Sequence, residues 1–294
     1  MRVLITGGTG FIGRELCARM AEVGHEAVVL SRSADAAVAG ATRVVTSLEG
    51  LDAGDFDAAI NLAGAPIADA RWTEARKKLL LDSRVDTTAS LVSWMRRSRR
   101  PPGVLLSASA VGYYGEQGDK IVTEDTAPVR GFTHDLCAAW EEEARKAESF
   151  GTRVCLVRTG VVLDRDGGAL AKMLPAFKLG LGGRLASGQH WFPWIHRDDM
   201  VSIYLWLLER SSSRGAYNAS APNPVTNAEF TRALAAALGR PAIFPMPGVA
   251  LQLLFGEMSE ILLASDRMVP RRLLDEGFQF RYPQVGPALK AILG

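Results

Sequence analysis

The chain has 294 residues, 48% hydrophobic and 22% charged, enough for a sizeable core and ordinary for a globular enzyme built as one large α/β domain or a domain with a smaller lobe. Its 34 basic and 32 acidic residues leave a net charge of +2, too small to argue for nucleic acid or an anionic membrane as partner. Cys17, Cys137 and Cys155 are widely separated, lack metal-ligand spacing, and read as reduced core thiols, so no metal is expected.

The opening stretch MRVLITGGTGFIG organises the rest. Val3, Leu4 and Ile5 form a short apolar run, Thr6 to Gly10 break it, and Phe11, Ile12, Leu16, Cys17 and Met20 resume at helical spacing. Gly7, Gly10 and Gly13 form a G-x-x-G-x-x-G pattern, one position away from the dinucleotide fingerprint. The physical need is the same: Gly7 for a tight turn, Gly10 for close backbone approach to a pyrophosphate, Gly13 for close helix packing. Free amides at the helix start, around Phe11 and Ile12, then face the phosphates. A turn before a helix also collects glycine for conformational reasons alone. Here a second apolar run, Ala27 to Leu30, follows where βαβ geometry requires it.

The end of that second strand selects the cofactor. An NAD site carries Asp or Glu about 20 residues beyond the glycines, whereas this chain has Ser31 and Arg32. A hydroxyl and a guanidinium suit a 2′-phosphate, so NADP is expected over NAD. The competing reading of Arg32 is a solvated surface arginine. With no cationic, apolar, small-residue leader and no apolar run of membrane-spanning length, a cytoplasmic protein is expected.

A loop rich in Ala and Ser leads to a third predicted strand, Thr42 to Thr46, and a fourth follows at Asp57 to Gly64. Ligands on open α/β sheets lie beyond the carboxyl ends of strands, so Leu62, Ala63 and Gly64 are expected to border the cofactor. Arg71 to Arg100 reads as a helix stopped by Pro101 and Pro102, its Arg96, Arg97, Arg99 and Arg100 cluster a solvated end. Within it Arg84 interrupts the apolar part and either snorkels, pairs with a buried group, or meets a cofactor phosphate or ribose.

Val104 to Ser107 is a fifth strand running into the hydroxyl-rich stretch SASAVGYYG. There Ser109 is placed to polarise a substrate oxygen and Tyr113 or Tyr114 to donate a proton; packed tyrosines in a turn are the alternative. Asp135 to Phe150 reads as a helix ended by Gly151, and Arg153 to Thr159 as a sixth strand. Residues 163–192 turn glycine-rich, a helix flanked by mobile loops over the site, and 191–196 form an aromatic ledge. His196, beside Asp198 and Asp199, reads as structural rather than catalytic. Then come a helix at Met200 to Glu209, a strand at Gly215 to Asn218, a helix at Asn227 to Leu238 capped by Asn227, a packed helix pair within 248–263, and a compact tail.

Together these stretches, TGGTGFIG at the start, SR at 31–32, NLAG at 61–64, SR at 83–84, GVVL at 160–163, FPWIHRDD at 192–199, PVTNAEF at 224–230 and GFQFRYP at 277–283, resemble the extended short-chain dehydrogenase/reductase superfamily, within it the epimerase-family proteins with a short C-terminal domain. The resemblance spans nearly the whole chain. It implies a Rossmann-like doubly wound parallel sheet over 1–163 and 196–240, with a small substrate-binding lobe from 164–195 and 241–294. It also implies NADP contacts at Gly7 through Ile12, Ser31 with Arg32, Leu62 with Ala63, Arg84, and the backbone near Val162.

One departure matters. The superfamily's chemistry uses a Tyr with a Lys four residues later, but the residues four beyond this chain's five tyrosines are Gln117, Gly118, Leu208, Ala221 and Gly286. Where the pair would fall the chain reads THDLCAAWEEEA. Two functions stay open: an NADP-dependent oxidoreductase or epimerase on a small carbonyl or nucleotide sugar, using Ser109 with Tyr113 or Tyr114, or a cofactor-sensing or scaffold protein with little catalysis.

Overall fold

The computed structural model describes residues 1–294. In chain order the strands and helices are β1 (Arg2–Thr6), α1 (Phe11–Glu22), β2 (Glu26–Leu30), β3 (Ala41–Val45), β4 (Ala58–Asn61), α2 (Glu74–Arg97), β5 (Val104–Ala110), β6 (Gly118–Val122), α3 (Phe132–Arg145), β7 (Arg153–Thr159) and β8 (Val161–Asp164). There follow α4 (Gly168–Lys178), β9 (Trp191–Phe192), β10 (Trp194–His196), α5 (Arg197–Glu209), β11 (Gly215–Ala219), β12 (Val225–Thr226), α6 (Asn227–Leu238), α7 (Gly248–Phe255), α8 (Glu260–Leu263), β13 (Asp266–Met268), α9 (Arg271–Asp275) and α10 (Val285–Leu293).

Seven strands form one parallel sheet in the order β11-β7-β5-β4-β1-β2-β3. The strand order reverses between β1 and β4, the kind of switch point beyond whose carboxyl ends ligands bind in open α/β sheets. Period-2 alternation assigns the strand side chains to two faces. Val3, Ile5, Ala27, Val29, Ala58, Ile60, Val104, Leu106, Cys155 and Val157 pack under α1 and α5. Leu4, Val28, Ala59, Leu105, Val154 and Leu156 face Leu91, Val92, Trp94 and Met95 of α2. Both faces are covered, which is why these strands read as continuous apolar runs rather than alternating ones.

A separate core joins Leu170, Leu174 and Phe177 of α4, Phe230 and Leu234 of α6, and Ala288, Leu289 and Ile292 of α10. α6, which falls in the range expected for the sheet domain, packs its apolar face against α4 and α10. Conversely Leu273 and Phe278, assigned to the lobe, are buried in the sheet's core. The tail is tied there by Asp199, whose carboxylate accepts from the amides of Arg281 at 2.8 Å and Tyr282 at 2.9 Å.

Several expected boundaries move for local reasons. The long helix begins at Glu74 because the Thr73 hydroxyl accepts from the Arg76 amide, and it ends at Arg97. α3 starts at Phe132, three residues earlier than expected, and its last turn tightens into a 3₁₀ segment over Lys146–Phe150. Asn227 is not the cap of α6: Thr226 forms a capping box with Glu229, while the Asn227 carboxamide accepts from the Leu185 amide. The 248–263 segment is not a packed pair, since α7 buries only Leu251 and exposes Val249, Leu253 and Leu254. No helix is long and apolar enough to cross a membrane.

Candidate functional site

The turn between β1 and α1 has the shape its glycines demand. Gly7 adopts φ +72°, and a Cβ there would lie 2.6 Å from the Leu62 carbonyl carbon. A Cβ on Gly13 would meet the Gly7 carbonyl oxygen at 2.3 Å, so α1 presses directly on the turn. Gly10 caps α1 without any side-chain hydrogen bond, no acidic residue occupies the first turn, and Gly10 itself is exposed. The amides of Phe11, Ile12 and Gly13 have no acceptor within the helix and are left for an anion.

Around that turn the structure brings together most of the expected cofactor residues. Ser31 and Arg32 follow β2; the Ser31 hydroxyl accepts from the Ser33 amide at 3.2 Å, and Arg32 is exposed with no carboxylate nearby among the chain's ion pairs. On the other flank of β1, Asn61 is buried, accepting from the Thr6 hydroxyl at 2.6 Å and donating to the Thr88 hydroxyl at 2.8 Å. It ties β1, β4 and α2 together, and Leu62, Ala63 and Gly64 follow it, with the Leu62–Ala63 peptide pressed against Gly7. Arg84 arrives from α2 against Gly64, where a Cβ would lie 3.1 Å from its guanidinium carbon. Val162 sits on β8, 8% exposed, with its carbonyl 3.0 Å from where a Cβ on Gly168 would stand. Phe11 carries the turn toward the lobe, its ring packed on Gly167 and Gly168 and faced by Arg197 at 5.3 Å.

The hydroxyl-rich end of β5 is used differently from expectation. Ser109 is 3% exposed and donates to Glu141 at 2.7 Å. Glu141 in turn is gripped by Arg158 through two bonds, 2.8 and 2.9 Å. Arg158 also donates to the Tyr114 hydroxyl at 3.0 Å, and that hydroxyl donates to Asn218 at 2.6 Å. Tyr114 is fully buried, and burial pushes its phenol well above the usual range. Ser109 and Tyr114, expected as candidate substrate contacts, thus lie in a buried polar network joining β5, α3, β7 and β11. Sequence reasoning missed Glu141 and Arg158, although an arginine inside the apolar strand VCLVRT was the available signal.

Tyr113 differs from its neighbour. It is half-buried, its ring lies face-on to the Arg158 guanidinium at 3.4 Å, and its phenol is not tied into that network. His134 bonds the Tyr113 carbonyl through Nδ1 at 2.6 Å and meets the ring edge-on at 5.2 Å. The face of α3 turned toward this end of β5 carries Thr133, Cys137 and Glu141, four residues apart, with no lysine. Cys137 is buried and its thiol is pushed up to about 12, first by burial and then by Glu141, so it is an inert core thiol.

His196 is held by its surroundings: Nδ1 accepts from the Asp198 amide at 3.0 Å, and the ring stacks on Tyr282 at 3.8 Å. Burial lowers its pKa despite the neighbouring aspartates.

Comparison with known proteins agrees with this architecture. The bovine "epimerase family protein SDR39U1" is 41% identical over the full length of both chains. A crystal structure of the human epimerase family protein SDR39U1 with NADPH superposes with a TM-score of 0.91 at 39% identity, covering 100% of this chain and 99% of that one. A UDP-glucuronic acid 4-epimerase from Bacillus cereus shares the fold, TM-score 0.77, at 13% identity, covering 100% and 98%. Residues 246–292 match a domain of unknown function, DUF1731. With residues 3–220 matching its model and a parallel sheet wound about the glycine turn, the chain belongs to the NAD dependent epimerase/dehydratase family.

Proposed function

We propose that this chain is an NADP(H)-dependent oxidoreductase or epimerase acting on a small carbonyl or nucleotide-sugar substrate, with Tyr113 carrying the proton that a Tyr–Lys pair carries elsewhere in the superfamily. The observation behind the cofactor is the uncapped, acid-free first turn of α1 beside an unpaired Arg32. An orphaned set of amides and a free guanidinium fit a pyrophosphate and a 2′-phosphate. The NADPH in the human relative's structure supports the same reading.

The cofactor supplies hydride transfer. The chain's own residues then have four tasks. Phe11, Ile12 and Gly13 offer amides to the pyrophosphate; Ser31 and Arg32 hold the 2′-phosphate; Leu62, Ala63, Gly64 and the Val162 backbone shape the walls; Tyr113, just past the end of β5, keeps a proton at its phenol oxygen. Arg158 behind the ring and His134 on its carbonyl fix the place of that phenol.

A second reading, cofactor sensing with little catalysis, draws on the burial of Ser109 and Tyr114, since both hydroxyls serve the fold. The two readings separate by experiment. NADPH binding is followed by fluorescence, and turnover by loss of nicotinamide absorbance on a panel of carbonyls and nucleotide sugars. The enzyme reading expects turnover that falls about 10²–10⁴-fold in Tyr113→Phe, the usual worth of general acid–base assistance. Turnover indifferent to that substitution refutes Tyr113 as the donor; tight binding without turnover supports the sensor.

A further inference from the structure

The exposed apolar surface of this chain is concentrated in one place. Of the fifteen large hydrophobic residues that are exposed, eight fall in 179–181 and 243–254, and backbone bonds lay these two segments side by side. The Phe244 amide donates to the Gly182 carbonyl at 3.2 Å and the Met246 amide to the Arg184 carbonyl at 2.9 Å. Leu179, Leu181, Ile243 and Phe244 thus share one end of a strip, from 54% exposed at Phe244 to 75% at Leu179. Met246 leads to α7, which starts against Ala186 and leaves Val249, Leu253 and Leu254 in solvent. Arg71 donates to the carbonyls of Leu253 and Leu254, and Leu251 is the one buried residue of the helix, so main-chain bonds fix these side chains where they are.

Area and charge together say what covers the strip. At about 150–200 Å² for a fully exposed large apolar residue, these exposures leave on the order of 800 Å² open to water. The largest apolar patch of a monomer is about 300–600 Å², whereas a stable dimer covers about 800 Å² on each partner. The two ends of the strip carry opposite charges. Lys178 closes α4 immediately before Leu179, and Arg240 precedes Pro241, which lies against Gly180; both cations are exposed and neither forms an ion pair. Past the other end, Glu260 opens α8, exposed and likewise unpaired, beside Glu257, which pairs with Lys77. A twofold axis through the middle of the strip brings the basic end of one copy over the acidic end of the other. α7, GVALQLLF, has no lysine or arginine of its own, unlike a helix built to lie on an anionic bilayer.

We propose that this strip is the interface of a twofold-symmetric homodimer. Met246 and Val249 lie near the axis, Leu179 and Ile243 of one copy pack on Leu253 and Leu254 of the other, and Lys178 and Arg240 of each face Glu260 of its partner. The occupant of the strip is a second copy of this chain.

Sedimentation velocity of the full chain, from about 0.1 to 50 µM, reads the oligomeric state directly. Wild type is expected to sediment as a dimer, and Leu253→Glu to raise the dissociation constant by about a hundredfold or more, because symmetry applies each loss twice. Val249→Lys has the same effect and carries the test should Leu253→Glu melt early. Lys178→Glu and Glu260→Lys each weaken the dimer by about three- to tenfold, and their combination in one chain restores most of that loss. A wild type that stays monomeric at every concentration, or a dimer indifferent to both Leu253→Glu and Val249→Lys, overturns the proposal. Charge variants whose losses simply add overturn the twofold register. A monomeric wild type that floats with phosphatidylglycerol–phosphatidylcholine vesicles, and loses them in Leu253→Glu, assigns the strip to a membrane surface and overturns the dimer.

Discussion

Asp266 offers a test of how the C-terminal strand is seated. It lies on β13, 4% exposed, and its Oδ1 is buried without a hydrogen-bond partner. Burial, with the Glu116 charge second, pushes its carboxyl from 3.8 up to about 7. Glu116 accepts from the amides of Gly118 and Ser265, which hold its carboxylate in place beside Asp266. A rise of that size is about a thousandfold in proton affinity, on the order of 4 kcal/mol at 1.36 kcal/mol per tenfold. The sign follows from linkage. Below about pH 4 Asp266 is protonated in both states and costs nothing; from there to about 7 the unfolded chain has lost the proton that the native state still holds, so stability falls as pH rises; above about 7 the full cost persists. Asp266→Asn keeps the shape and removes the charge. For a chain of this length, 4 kcal/mol is roughly 6 °C in Tm. Thermal melts of parent and variant at pH 4 and pH 8 are therefore expected to coincide at the lower pH and to separate by about that amount, variant higher, at the other. An equal difference at both values, or a variant less stable at pH 8, refutes the assignment of Asp266 as a buried, unpaired acid.

Other substitutions read other parts of the molecule. Arg32→Ala is expected to weaken NADPH by about tenfold or more while leaving NADH nearly unchanged, measured by parallel titrations, because only the 2′-phosphate distinguishes the two. Gly13→Ala places a methyl 2.3 Å from the Gly7 carbonyl oxygen; we expect it to destabilise the fold by about 1–3 kcal/mol in urea melts and to abolish tight nucleotide binding. Tyr114→Phe strips a partner from both Arg158 and Asn218 and is expected to cost about 1–3 kcal/mol in the same melts, whereas Tyr113→Phe costs less than about 0.5 kcal/mol. Equal losses for the two tyrosines would contradict their different surroundings.

The sheet was legible in the sequence because each central strand is an unbroken apolar run and each turn is marked by glycine or by a capping residue. The glycine turn, Ser31 with Arg32, and the segment from Leu62 to Gly64 could be singled out as candidates for the same reason: the chemistry expected of them depends on residues close together in the chain. What stayed hidden depends on distant residues meeting. Nothing local to Ser109 announces Glu141, 32 positions on, and nothing local to Tyr114 announces Asn218, 104 positions on. The pairings of β6 with β13 and of β9 with β12 involve strands of two to five residues, too short to show a period. The packing of α6 on α4 and α10 stayed hidden because an amphipathic helix records that it has an apolar face without recording what covers it.

The return of Leu273 and Phe278 into the sheet's core, and the hold of Asp199 on Arg281 and Tyr282, set an order on biosynthesis. A ribosome delivers β1 to β5 first, yet the α1 and α5 side of the sheet keeps an uncovered apolar area until Leu273 and Phe278 have been made and have cleared the exit tunnel. Nascent chains therefore need shelter from one another until that point, and a nonsense mutation shortly before Leu273 is expected to yield an aggregating product rather than a smaller working one.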